Sequence, residues 1–138
     1  MTKPNAQKVA DRHIWAMARA NLVVDENHTE LITPLKDHNF RVVTPIPRTP
    51  DPDIIKTLCS GRVLVTENLK DFESYAAVDE FSIISIKSLK FIDPAQKNNL
   101  TAKLISDAWG KLQLSSYNGR PFILHLHDDG RHKLEFPH

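Results

Sequence analysis

The sequence predicts an α/β fold: three layers, α/β/α, around a mainly parallel central sheet, with an antiparallel hairpin at one edge. Three observations predict it. Short unbroken apolar runs, Leu22-Val23-Val24 and Val63-Leu64-Val65, have the pattern of strands covered on both faces. Stretches of helical spacing alternate with such runs, which calls for parallel strands joined by crossover helices. Near the C-terminus, Asp128-Asp129-Gly130-Arg131 separates two apolar runs, a strong hairpin signal.

Taken in order, Val9, Ala10, His13, Ile14, Met17 and Ala18 recur at helix spacing, so residues 5–20 read as a helix from Asn5 to Asn21. Residues 1–20 are therefore expected to be a helical extension, and residues 21–138 a single domain. Leu22-Val23-Val24 is a short strand ending in Asp25-Glu26-Asn27. A helix follows with Leu31, Ile32 and Leu35 inward. Pro34 requires that helix either to start late, with Thr33 as N-cap, or to kink. Residues 40–44 form a second strand. The four prolines in residues 45–52 make a stiff loop. Asp53 caps a short helix carrying Ile54, Ile55, Leu58 and Cys59, closed by Gly61.

Val63-Leu64-Val65 then gives way to polar Thr66, Glu67 and Asn68. Asp71 is expected to open the next helix, with Phe72, Tyr75, Ala76 and Val78 inward. Residues 81–86 are a further strand. Asp93-Pro94-Ala95-Gln96 is the signature of a capped helix start, Leu100, Leu104, Ile105, Ala108 and Leu112 form its inner stripe, and Gly110 weakens or ends it. Residues 122–126 and 133–136 are the hairpin strands.

The totals bound the function. A chain of 138 residues with 41% apolar and 25% charged residues suits one domain with its own core. A net charge of +1 supplies no bulk attraction for nucleic acid, so any such contact needs a local patch. The single cysteine, Cys59, excludes an internal disulfide and a multi-cysteine zinc site. No run approaches the ~20 apolar residues of a membrane span, and the N-terminus lacks a signal-like apolar core. The expectation is a cytoplasmic protein with no membrane contact. With 4 glycines and no glycine-rich loop, nucleotide binding of the phosphate-loop kind is set aside.

The chemistry-bearing residues fall at strand ends. Asp25 ends the first strand, Asp53 opens the helix after the second, and Asp71 lies at the start of the helix after the third. Neighbouring strands lie ~4.8 Å apart, so acids at their carboxyl ends can converge, and carboxylates suit Mg²⁺ or Mn²⁺. Such an ion activates water and neutralises charge at a phosphodiester. Each aspartate at a helix start is also explained by capping alone. Three in successive units, with Thr66 and Asn68 beside the third, favour the site. Glu26 is a further candidate metal ligand. Arg48, Lys70 and His28 are candidate contacts to a phosphate backbone. His125, His127 and His132 are expected on one hairpin face, His127 opposite His132, either as a half-exposed surface or as a transition-metal site.

Val65-Thr66-Glu67-Asn68-Leu69-Lys70-Asp71-Phe72 resembles the Thr-x-Asn-x-x-Asp-Phe signature of PIN domains in VapC-type ribonuclease toxins. Leu22-Val23-Val24-Asp25-Glu26-Asn27 is similar to the first-strand motif of the short PIN-like nucleases. Asp53-Ile54-Ile55, shortly before the third strand, matches their spacing. The resemblance spans about residues 22–86, and more loosely the hairpin. It implies a metal-dependent endoribonuclease, with Asp25 and Asp71 as ligands of Mg²⁺ or Mn²⁺, Asp53 as the acid of the middle helix, and Thr66 and Asn68 in support. The chain departs from the pattern where longer PIN domains carry another acid, for which Glu26 or Glu30 would stand in. It departs again at Asn68, where short forms often have Asp. The resemblance further implies an RNA substrate and, as candidate partners, a cognate antitoxin protein and a second copy of the chain. The alternative is a PIN-like module of weak or no activity that binds RNA or a partner protein.

Overall fold

In the computed structural model, residues 22–44, 59, 62–76, 81–90, 93–114 and 121–136 are described. The expectations for residues 1–20, for the proline-rich loop with Arg48, and for the Asp53 helix up to Gly61 lie outside the described residues, Cys59 excepted. The fold is α/β, as expected. Strands β1 (Leu22–Val24), β2 (Val42–Val43), β3 (Val63–Thr66), β4 (Ser82–Ser88), β5 (Ile123–His127) and β6 (His132–Glu135) form one sheet in the order β2-β1-β3-β4-β5-β6. Every neighbouring pair is parallel except β5–β6. Helices α1 (Ile32–Asp37), α2 (Leu69–Ala76) and α3 (Lys97–Lys111) cover its faces.

Alternation along the strands divides the core in two. Leu22, Val24, Val63, Val65, Ile84, Ile86, Leu124 and Leu126 pack beneath α1 and α3. Val23, Leu64, Ile83 and Ile123 pack on the other face with Phe72 and Ala76 of α2 and with Cys59. Leu64, Ile83 and Ile84 are fully buried, so truncating one to alanine should cost about 2–5 kcal/mol. The β1-to-β2 and β4-to-β5 crossovers run in opposite directions across the sheet, yet α1 and α3 lie on the same face. The two crossovers therefore have opposite hands, whereas such connections are nearly always right-handed.

Local chemistry explains where several elements differ from expectation. Pro34 sits in the first turn of α1, where a proline is tolerated. Thr33 is not the cap: a 3-10 helix, Glu26–Leu31, precedes α1 and is kinked at His28. Asn39, with φ 71°, ends α1, as Asn39 N–H donates to Lys36 O and Phe40 N–H to Leu35 O. α3 starts at Lys97, four residues past the expected cap. Asp93 instead accepts the Ala95 N–H at 3.0 Å and closes a turn of its own. The buried side of α3 is accordingly Thr101, Ala102, Ile105, Ala108 and Trp109, with Leu100, Leu104 and Leu112 at its margin. The Trp109 and Phe40 rings pack edge to face with centroids 5.4 Å apart, fixing α3 to the segment before β2. Tyr75, expected inward, is 41% exposed.

The hairpin corrects the histidine expectation. Its loop has three residues, with Gly130 at φ 89° in the left-handed position. The register pairs Leu126 with His132 and His125 with Lys133. This is one residue from the expected pairing, and such a shift turns a side chain to the opposite face. His132 therefore lies on the face away from His125 and His127, and the three do not form a metal site.

Candidate functional site

β1 and β3 are neighbours, but the chain leaves β1 toward β2 and leaves β3 toward β4. Their carboxyl ends thus form the switch point of the sheet, the crevice where open α/β folds bind ligands. Val24 pairs with Val65, which sets Asp25 beside Thr66. The Asp25 N–H also donates to Val65 O at 3.4 Å, continuing the ladder by one step.

Thr66 is fully buried and organises the junction. Its Oγ1 donates to Asp25 Oδ2 at 3.3 Å and accepts the Asn68 N–H at 3.0 Å. The second bond bends the chain out of β3 and starts α2 at Leu69, two residues earlier than expected. Asp71 consequently lies within the first turn of α2, where a carboxylate interacts favourably with the helix dipole, and is not the residue that caps it. Asp71, Lys70 and Asn68 are exposed. By alternation Asp25 and Thr66 share the face of Val23 and Leu64, the face that α2 covers, so Asp25, Thr66 and the start of α2 gather at one corner of the sheet.

Glu67 contacts different elements. Its carboxylate lies 3.4 Å from His28 Nε2 and 3.8 Å from Lys97 Nζ, linking the 3-10 segment, the β3 tip and the start of α3. The His28 ring is thus engaged with Glu67, while the His28 N–H donates to Asp25 O at 2.8 Å. The side chain of Glu26, together with Asp53 and Arg48, lies outside the described residues. Among the described residues, no group of three or more His, Cys, Asp and Glu side chains is placed to hold a metal ion.

Two residues with a place at this edge were not singled out in the sequence. Ser85 is buried and lies in register between Thr66 and His125, extending a polar row from Asp25 across the sheet. The signal for it was one polar residue within the run Ile83-Ile84-Ser85-Ile86, which is otherwise apolar. Lys97 reaches the edge through α3, which no spacing in the sequence revealed. Ser82, buried on the other face, accepts the Phe122 N–H at 3.1 Å and fixes the entry to β5.

Away from this edge, burial pushes the Cys59 thiol up to about 12, with Arg62 opposing the shift. A hydrogen bond from His125 holds the Glu135 carboxyl below its ordinary range. No protein-family model matches the chain, and neither a curated protein nor a solved structure matches it. Among the described residues, no helix is long and apolar enough to cross a membrane.

Proposed function

We propose that the chain is a PIN-like, metal-dependent endoribonuclease whose centre is the Asp25–Thr66 junction. The observation that carries the reading is the hydrogen bond from buried Thr66 to the Asp25 carboxylate at the switch point, with Asn68 tied into the same turn. A carboxylate held by a buried hydroxyl at a ligand-binding edge is a pre-oriented oxygen donor, as hard divalent cations require. Asp25, with Asp71 and Asp53, would hold Mg²⁺ or Mn²⁺. The described residues supply fewer than three ligands, so Asp53 completes the set in this reading. When bound, the ion would supply charge neutralisation at a phosphodiester and an activated water.

The chain's own residues have separate tasks. Thr66 fixes the Asp25 carboxylate, and the turn at Asn68 aims the start of α2. Lys70 and Lys97, with Arg48, supply positive charge for the RNA backbone, and His28 is a further contact to it. In-line attack by water would leave 5′-phosphate and 3′-hydroxyl ends. The test is RNA cleavage by purified Asp71→Asn protein in Mg²⁺ or Mn²⁺. Loss of cleavage with an unchanged melting curve is expected, and undiminished cleavage at matched purity would refute the assignment.

A second reading, a module that binds RNA or a protein without turnover, is favoured by the near-neutral net charge of +1 and by Asn68 standing where short PIN-like forms often have Asp. Metal titration separates the two. A true site raises the melting temperature by mass action, and Asp25→Asn should remove that rise. No rise in the unaltered protein would favour the binding module.

A further inference from the structure

The β5–β6 hairpin ends the sheet, and among the described residues no strand pairs with the outer side of β6. Which backbone groups face outward follows from the hairpin. His127 N–H donates to Arg131 O at 2.9 Å, and hydrogen-bonded pairs alternate along an antiparallel ladder. With His125 paired to Lys133 and Ile123 to Glu135, residues 131, 133 and 135 turn their N–H and C=O groups toward β5. His132 and Leu134 turn theirs away from the sheet. The edge is a four-residue strand whose outward donors and acceptors belong to alternate positions.

We infer that β6 pairs antiparallel with β6 of a second copy, joining two sheets through Leu134 and the charged residues beside it. Parity and charge together select one register. Outer pairing must use the outward residues, so even positions face even positions. Centred on Leu134, the pairing sets Leu134 opposite the second copy's Leu134 and Lys133 opposite the second copy's Glu135, twice over by symmetry. These Lys–Glu pairs fall at the non-hydrogen-bonded sites, where Cα atoms approach to ~4.5 Å and side chains are closest. Sliding by two residues one way places Lys133 against Lys133. Sliding the other way places Glu135 against Glu135. Like charges directly opposite destabilise a pair, so both alternatives are penalised.

The two faces of this strand suit the arrangement. Lys133 and Glu135 are exposed and approach each other at 3.7 Å within one chain, so Lys133 can turn to the second copy's Glu135 while each Glu135 keeps its own bond to His125. On the other face, Leu134 is half-buried against the core beneath α3 and would meet its own copy there. A lysine on an edge strand ordinarily discourages the addition of another strand. Here Glu135, two residues along, makes the same lysine compatible with one partner, the inverted copy of this strand. Self-complementarity of this kind is what a two-fold interface requires.

Sedimentation equilibrium of the full chain, from micromolar to millimolar concentration, tests the inference. The unaltered protein should show a monomer–dimer equilibrium. Lys133→Glu alone and Glu135→Lys alone should each weaken self-association by at least about tenfold, since two pairs change from attractive to repulsive. An equimolar mixture of the two single variants should form a heterodimer, and the K133E/E135K double variant should regain self-association. Melting curves confirm that each variant is folded. Lys133→Glu suffices by itself should Glu135→Lys, which loses the His125 contact, fail to fold. The inference is overturned by an unaltered protein that stays monomeric throughout, or by a dimer that Lys133→Glu leaves intact.

Discussion

Replacing Thr66 with valine tests whether this hydroxyl holds the β1–β3 junction. Valine matches the shape of threonine, so the fully buried pocket should remain filled while two hydrogen bonds disappear. The bond from the Asn68 N–H is neutral, contributing about 1 kcal/mol. The bond to Asp25 is charge-assisted, but at 3.3 Å it is long, and the half-buried carboxylate regains water, so it contributes about 1 kcal/mol as well. The expected loss is about 2 kcal/mol. An unfolding entropy of roughly 0.3 kcal/mol/K for 138 residues converts this to a fall in Tm of roughly 7 °C. Thr66→Ser keeps the hydroxyl and loses only a methyl group, at about 1 kcal/mol. Urea unfolding of Thr66→Val, Asp25→Ala and the double variant completes a cycle with a coupling of about 1 kcal/mol. A valine variant as stable as the unaltered protein, or a coupling under about 0.3 kcal/mol, would refute the reasoning.

Three further outcomes are expected. Gly110→Ala, in an exposed helical position with open space around it, should raise stability by about 1 kcal/mol, whereas Gly130→Ala, at φ 89°, should lower it by about as much; thermal melts of both decide. Cys59, buried and with its thiol raised to about 12, should resist a thiol reagent at pH 8 in the folded protein and react promptly in urea; rapid native labelling would contradict its placement. Glu135 has a folded pKa below its unfolded one, so its contribution is present above the unfolded carboxylate range and disappears as pH falls through the folded value. The stability gap between the unaltered protein and Glu135→Gln should therefore be open at neutral pH and close in acid, as chemical unfolding at several pH values would show.

Those parts of the fold that depend on short-range pattern were legible in the sequence. Val63-Leu64-Val65 and Leu22-Val23-Val24 are strands because nothing but burial on both faces accounts for such runs. The same pattern placed Asp25 and Thr66 at the carboxyl ends of their strands, while the adjacency of those two strands came from the sheet order. What was not legible depended on competing local bonds. Asp93 satisfied a turn rather than α3, which moved the helix start and rotated its buried side toward Trp109. Thr66 accepted the Asn68 N–H and launched α2 early, placing Asp71 inside it. A three-residue hairpin loop in place of a four-residue one sent His132 to the opposite face. Lys97 could not be assigned because its place depends on which face α3 covers, and that crossover has the opposite hand to the one joining β1 and β2.

The Asp25–Thr66 contact joins residues 41 positions apart, and it exists only because β3 passes β2 and inserts on the far side of β1. Neither strand with its own connecting segment contains both halves. A slip of one residue between β1 and β3 would present Val24 or Glu26 to Thr66 and turn the carboxylate of Asp25 out of line. The junction thus acts as a checksum on the sheet: it closes when strand order and register are both correct, and a chain that has made either error has no assembled corner.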